Sequence, residues 1–433
     1  MPRSDEPARY CVIGAGAAGL AAVNALRTSG FAVDCFERSD RIGGHWHTDY
    51  EALHLITPRD SSGFIGAPMP DAYPIFPSRD QMRDYLTGYA ETMGLTDAIT
   101  LGCEVIRADP VGGQGGGGWR VLTADGSERT YAGLVVASGH LWQQRVPDVA
   151  RGFTGRSLHS GAYRNPTDLT GPRVLVVGNG NSGCDVAVDA AQARFATSIS
   201  VRSGRIYQPK TLFGRPRSEL PGVTKLPPRI RELAMRYLIR VAAGQAADYG
   251  LPMPASKNLD KNLPVVNSLL PYWIQHGRIR VRPGIAQIRG TSVRFEDGSC
   301  EEFDSIVWAT GFDVSMPFLD STLLRGANGV PDRVAAAVLP PRLARLYFIG
   351  FAAPRGPQLP AYSQQAELLT RLLRLQEQVQ GALAEHHSFP RSPDGELDVV
   401  RHVWEEDVRK SLAMADAALR RSAQWADGPQ RSA

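Results

Sequence analysis

Two glycine turns of one design occur in this chain, and the strands that follow them end in opposite charges. The first turn, Gly14-Ala15-Gly16-Ala17-Ala18-Gly19, stands behind the apolar run Tyr10-Cys11-Val12-Ile13. The second, Gly178-Asn179-Gly180-Asn181-Ser182-Gly183, stands behind Val174-Leu175-Val176-Val177. In each, the first glycine permits a tight turn, the second lets backbone approach a pyrophosphate, and the third lets helix pack on strand. Unpaired N–H groups at the start of that helix attract phosphate. The strand predicted at 32–36 ends in Glu37, and the one at 198–201 ends in Arg202. A carboxylate there accepts hydrogen bonds from ribose hydroxyls, whereas a guanidinium suits a 2′-phosphate. A small-residue crossing of helix on strand is the plain alternative. The strand, turn, helix and charged strand end in sequence favour two dinucleotide sites of different kinds.

At 433 residues the chain predicts two domains rather than one core. A formal charge of +4, with no long Lys/Arg run, argues against a nucleic-acid surface. Cys11, Cys35, Cys103, Cys184 and Cys300 form no C-x-x-C pair. That suits a reducing, cytoplasmic setting and predicts neither a metal site nor a redox disulfide. Arg3 and Arg9 before an Ala-rich stretch imitate a signal peptide, but strand-turn-helix explains the stretch better. No run is long enough to span a membrane, and a membrane partner is not expected. Oligomeric state is left open.

Along the chain, residues 10–40 read as β-α-β. Ser78 reads as the N-cap of a helix over 79–93. Strands are predicted at 104–108 and 119–123, with a flexible Gly-rich tip at 112–118, and a buried strand at 134–137. A second β-α-β unit begins near Arg173. Residues 205–270 are Pro-rich around one helix predicted from Arg229 to Gln245. Its apolar positions Ile230, Leu233, Ala234, Tyr237, Leu238 and Val241 recur at helical spacing, with Arg229, Glu232, Arg236 and Arg240 on another face. A cap helix packed on the body is the simpler reading, and a membrane-surface helix the sharper one. Further strands are predicted near 279, 292, 306 and 346. A helix follows over 366–380, then a helical tail whose last dozen or so residues read as disordered.

The second glycine unit is bracketed by the strands at 134–139 and 306–312, the pattern of one nucleotide-binding domain inserted in another. The expected fold class is α/β with two Rossmann-like domains. The expected parts are 1–165 (first domain), 166–290 (inserted domain), 291–385 (first domain resumed) and 386–433 (tail).

Further motifs narrow the chemistry. Glu37-Arg38 is followed by Arg41-Ile42-Gly43-Gly44-His45-Trp46, which resembles FAD enzymes of the glutathione-reductase-like fold. Phe153-Thr154-Gly155-Arg156-Ser157-Leu158-His159 resembles the F-x-G-x-x-x-H fingerprint of class B flavoprotein monooxygenases. The Baeyer-Villiger branch places Trp four residues after that His. Here Tyr163-Arg164 follows, which looks like the flavin-containing monooxygenase branch. Val135-Val136-Ala137-Ser138-Gly139-His140 and Ala309-Thr310-Gly311-Phe312 resemble the two linkers of that family. Asn179 to Asp185 and Val201-Arg202-Ser203-Gly204 resemble its NADPH turn. The resemblance covers roughly residues 8–385.

It implies FAD and NADPH as cofactors. FAD would be held by Gly14, Gly16, Ala18, Gly19, Glu37, Arg38, Gly44, His45, Trp46, Val105 and Gln365. NADPH would be held by Gly178, Gly180, Asn181, Ser182, Gly183, Arg202 and Ser203, with Tyr163 touching the nicotinamide nucleotide. Arg205 and Lys210 are further candidates. His159 would orient rather than donate a proton to substrate. In such enzymes NADPH reduces FAD, and a C4a-hydroperoxide formed with O₂ oxygenates a soft nitrogen or sulfur nucleophile. The chain departs from the family's Asn-x-x-Lys stretch, placing Ile56 near the Asn and Arg59 at the Lys. His45, His47, Thr57 and Arg59 are the candidates for the reactive face. Baeyer-Villiger oxidation, and a reductase or oxidase releasing peroxide or passing electrons to a partner, are the rival readings.

Overall fold

The apolar runs behind the glycine turns become the central strands of two parallel sheets. In the computed structural model, which describes residues 8–113, 116–223, 226–256 and 263–426, Arg9–Ile13 lies between Ala32–Phe36 and Gly133–Val136. Ile99–Thr100 and Leu346–Phe348 form the outer strands of this five-stranded sheet. The second sheet repeats the plan. Arg173–Val177 lies between Ala196–Ser200 and Ser305–Trp308, with Ile279–Arg282 and Arg156–His159 outermost. Strands covered on both faces must be apolar throughout, and Gly133–Val136 and Ser305–Trp308 are buried at every position.

The repetition extends further. A three-stranded antiparallel meander over residues 105–131 leads into Gly133–Val136, and another over 285–302 leads into Ser305–Trp308. One supersecondary plan is thus used twice.

The sheet pairing corrects the expected boundaries. The strand near 306, read as the far bracket of the first unit, belongs to the second sheet. So does Arg156–His159, which had been placed in the first. The first sheet resumes only at Leu346. A strand such as Ser305-Ile306-Val307-Trp308 carries no mark of the neighbour it will pair with.

Local signals elsewhere act as read. Ser78 accepts from Gln81 N, and the Gln81 side chain accepts from Ser78 N, a capping box opening the helix Arg79–Thr92. The helix expected from 366 begins at Leu359, because Pro360 sits in its first turn, where no N–H is required. The C-terminal helix Arg401–Ala426 packs along it, with Trp404, Val408 and Ala415 in the first core. Residues 422–426, expected to be disordered, are helical. Residues 427–433, and 114–115 at the Gly-rich tip, lie outside the described residues.

Two backbone features of the first unit escape sequence patterns. Ala335, Ala336 and Ala337 all hold positive φ, between 53° and 69°. The Ala336 carbonyl there accepts from Gln365 Nε2 at 3.1 Å and Trp404 Nε1 at 3.3 Å. Arg333 is buried and donates to the carbonyls of Pro331, Phe351, Pro393 and Glu396, tying three loops together.

The helix Pro228–Ala243 turns one side inward, through Met235, Leu238 and Ile239 against Leu212 and Leu220. Its Ile230, Leu233, Tyr237 and Val241 face outward, so the cap-helix reading holds for one side only. Among the described residues, no helix is long and apolar enough to cross a membrane.

Candidate active site

The first glycine turn is closed from beneath. Gly14 has φ +101°, and a Cβ there would lie 2.7 Å from the Ala137 carbonyl oxygen. A Cβ on Gly19 would lie 1.8 Å from the Gly14 carbonyl oxygen. Only glycine fits at either position. Gly16 faces Gly44 across the cleft, and Gly43 N donates to Ala15 O at 3.0 Å, stitching the two glycine segments together. Glu37 is buried at the end of its strand. Its Oε2 accepts from Ala15 N at 2.8 Å, and its Oε1 accepts from Ser39 N and Oγ, each at 2.9 Å. The Arg38 guanidinium lies 4.9 Å from the centre of the Trp142 ring.

Next to this turn, the buried Ser138 Oγ and His140 Nδ1 have no partner among the described residues. His140 bonds the Gly350 backbone, and burial lowers its pKa to about 4, with nearby His45 adding to the effect. It is therefore neutral at ordinary pH. Buried polar groups rarely stay unpaired. Orphan atoms beside a glycine-lined cleft and a helix N-terminus fit a flavin dinucleotide. His45 Nδ1 pairs with Asp49 Oδ2 at 2.5 Å and its ring lies 4.9 Å from Trp46. His47 Nε2 donates to Ile42 O at 2.6 Å, folding that ring over the Gly43 turn.

The second turn repeats the first. Gly178 has φ +111°, and its Cβ would lie 2.4 Å from Ala309 O. A Cβ on Gly183 would lie 2.0 Å from Gly178 O, while the space at Gly180 is open. Asn179 Nδ2 donates to Ser203 O and Tyr207 Oη at 3.0 and 3.1 Å, and Asn181 Oδ1 accepts from Val266 N at 2.9 Å. Arg202 and Ser203 are exposed just past the strand end, and buried Arg205 Nε has no partner among the described residues. An exposed guanidinium with an orphan N–H beside it suits a 2′-phosphate.

Two linkers cross between the sheets side by side. Gln143–Gln144 pairs with Phe312–Asp313, Arg145 N donates to Gly311 O at 3.0 Å, and Arg145 pairs with Asp313. His159, at the end of its strand, accepts from Gly161 N at Nδ1 (3.0 Å) and so donates from Nε2 to Gly311 O (2.9 Å). Burial holds its pKa below the usual range, which keeps this neutral tautomer. Its ring meets Phe312 edge to face at 4.9 Å.

A third bridge brings the clefts together. Tyr50, past the Gly43-Gly44 turn, donates to Asp185 Oδ2 at 2.9 Å, on the helix that opens the second turn. Asn267 Nδ2 donates to the other oxygen at 2.7 Å. Burial raises the Asp185 pKa, opposed by these bonds and by the Lys210 charge.

Several expected contacts have other duties. Tyr163 is fully buried and donates to Asp189 Oδ2 at 2.6 Å, deep in the helix Asn181–Gln192 and away from its N-terminus. Gln365 is buried and spends its amide on Gly350 N and Ala336 O. Arg59 donates to Asp60 Oδ1 and to the carbonyls of Asp71 and Tyr73, so it fastens the Pro-rich segment rather than offering a free cation. Thr57 Oγ1 bonds Ser62 Oγ at 2.8 Å. Val105 is buried at the head of the meander, near the strand end at Glu37. Gly155 and Phe153 pack against each other and the Asp304 carbonyl. His140, Asn179 and Asp185 lie inside motifs read from the sequence but were not named there as site residues, and Tyr50 and Trp142, which lie outside those motifs, leave no local signal. Among the described residues no cluster of His, Cys, Asp or Glu could hold a metal.

Residues 8–382 match the family model described as "Flavin-binding monooxygenase-like". The chain belongs to that family. It is 31% identical over 390 residues to a human protein named putative dimethylaniline monooxygenase [N-oxide-forming] 6, covering 83% of this chain and 71% of that one. A solved flavin-containing monooxygenase from Stenotrophomonas maltophilia superposes with a TM-score of 0.65, at 20% identity over 86% of this chain and 99% of the other. A cyclohexanone monooxygenase superposes at 0.66, with 18% identity over 98% and 99%. At such identities the structural likeness shows the fold alone. This family member is a flavin-dependent oxidoreductase, a monooxygenase that uses FAD and NADPH.

Proposed function

We propose that the family member oxygenates a soft nitrogen or sulfur nucleophile of a small organic substrate. On this reading the turn at Gly14 holds FAD, and the turn at Gly178 holds NADPH on a domain inserted between two parts of the FAD domain. Once reduced by NADPH, bound FAD supplies the oxygen-activating chemistry. The chain's own residues bind, orient and exclude water. Glu37, with two protein partners on Oε1 and one on Oε2, meets the ribose of the flavin dinucleotide. Arg202 and Arg205 meet the 2′-phosphate. Gly16 and Gly44 leave room for the pyrophosphate, and neutral His140 and Ser138 offer hydrogen bonds at the flavin cleft. His159 keeps the linker at Gly311 in place, and Tyr50 on Asp185 holds the second cleft against the first.

The carrying observation is that pair of equivalent clefts, opposite in charge at the strand end and joined by the Tyr50–Asp185 bond. Tyr163-Arg164 after the fingerprint supports nitrogen or sulfur oxygenation over the Baeyer-Villiger alternative. The test is NADPH-dependent O₂ uptake by the purified yellow protein with a tertiary amine or a thioether. Faster uptake with matching oxygenated product is expected. Ester formed from a ketone would favour the Baeyer-Villiger reading, and peroxide matching all NADPH consumed would favour an oxidase. A preparation that takes up no FAD would overturn all three.

A further inference from the structure

A second feature lies apart from both clefts. Residues 211–216 form a two-residue hairpin in which Thr211 pairs with Pro216 and Leu212 with Arg215. Its tip residues, Phe213 and Gly214, both have positive φ, 51° and 75°. An aromatic residue is disfavoured in that conformation, yet Phe213 is 71% exposed rather than packed inward. Phe213 and Leu238 line one cavity of about 260 Å³, which sets the hairpin tip beside the helix Pro228–Ala243.

That helix carries an outward stripe. Ile230, Leu233, Tyr237 and Val241 are 55%, 67%, 68% and 65% exposed, at spacings of three and four residues. Exposed Arg236 and Arg240 flank it, Arg240 donating to the neutral Gln245 side chain, and Arg215 is exposed on the hairpin. The sequence of the helix holds Arg229, Arg231, Arg236 and Arg240 against one acid, Glu232. Four exposed large apolar side chains on one helix face, with a fifth at the hairpin tip beside that helix, make more apolar surface than soluble monomers usually carry without a partner.

We propose that this hairpin and helix dock the enzyme on the surface of an anionic lipid bilayer. The apolar stripe and Phe213 would enter the headgroup boundary, with the arginines on the lipid phosphates. Charge decides the occupant. An isologous contact with a second copy would set two arginine-rich helices against each other, whereas an anionic bilayer matches both the apolar and the basic rows.

The experiment is sedimentation of the flavin-loaded full chain with vesicles of phosphatidylcholine alone or mixed with phosphatidylglycerol. Binding to the mixed vesicles only, weakened by salt, is expected. The double variant Leu233→Glu/Tyr237→Glu should lower it at least about tenfold, with flavin content and NADPH oxidation unchanged. Phe213→Asn suits the positive φ, so it should fold normally and bind severalfold less. Absence of binding to mixed vesicles, or binding indifferent to both variants, would overturn the proposal. So would a dimer that falls to monomer in Leu233→Glu/Tyr237→Glu without any vesicle binding, which would assign the face to a second copy.

Discussion

The carbonyl oxygen of Ala309 lies 2.4 Å from where a Cβ on Gly178 would stand, and Ala137 closes on Gly14 in the same way at 2.7 Å. In both units the residue after the third central strand forms the floor of the glycine turn. Gly14→Val should therefore displace the 137–140 linker as well as the turn. The expected outcome is loss of bound flavin, read as loss of the absorbance near 450 nm, roughly the flavin maximum, from protein that still carries native helix content. Normal flavin content would contradict the phosphate turn.

Arg202→Ala should raise KM for NADPH about 10- to 100-fold, the scale of losing charge-assisted bonds to a phosphate, and leave KM for NADH nearly unchanged. Steady-state kinetics with both nucleotides decides it. Equal effects on the two would remove Arg202 from the 2′-phosphate site.

Arg59→Met tests the reassignment of this residue from reactive face to fastener. With the carbonyls of Asp71 and Tyr73 released, the 57–77 segment should become more sensitive to protease. A normal protease profile with kcat reduced by orders of magnitude would restore a catalytic role.

His140 makes stability depend on pH with a definite sign. Its folded pKa, about 4, lies below the unfolded value near 6.5, so the unfolded chain binds the proton first. Its contribution is complete above about pH 6.5 and is lost as pH falls toward about 4, a difference on the order of 3 kcal/mol. Urea unfolding of the flavin-free protein across that window should show a shallower slope for His140→Gln. Parallel slopes would place the titration elsewhere.

How much of this was legible depended on whether the cause was local. The glycine turns, the Ser78 capping box and the charged strand ends are written within a few residues, and the structure has them where the sequence puts them. Ser305–Trp308 was recognised as a strand but given to the wrong sheet, since pairing between strands separated by more than a hundred residues leaves no local trace. The helix expected over 366–380 starts at Leu359, with Pro360 accommodated in its first turn. Tyr163, Gln365 and Arg59 have long-range partners that no local pattern announces: Asp189, Gly350 with Ala336, and Asp71 with Tyr73. The left-handed run Ala335–Ala337 has no sequence signature, because nothing about alanine announces positive φ.

Two clefts built on the same backbone create a sorting problem inside one molecule. Peptide N–H groups and glycine turns treat every pyrophosphate alike, so neither cleft can recognise its own guest by backbone. On the proposed assignment, discrimination falls to the side chains at each strand end: a carboxylate at 37, where a phosphorylated ribose would meet its own sign, and the guanidinium groups at 202 and 205, which an unphosphorylated ribose would leave unanswered. Glu37 carries a second duty, because its carboxylate also ties the Gly14 turn to Ser39, so the charge that sorts the guests at that cleft is built into the turn that would hold one of them.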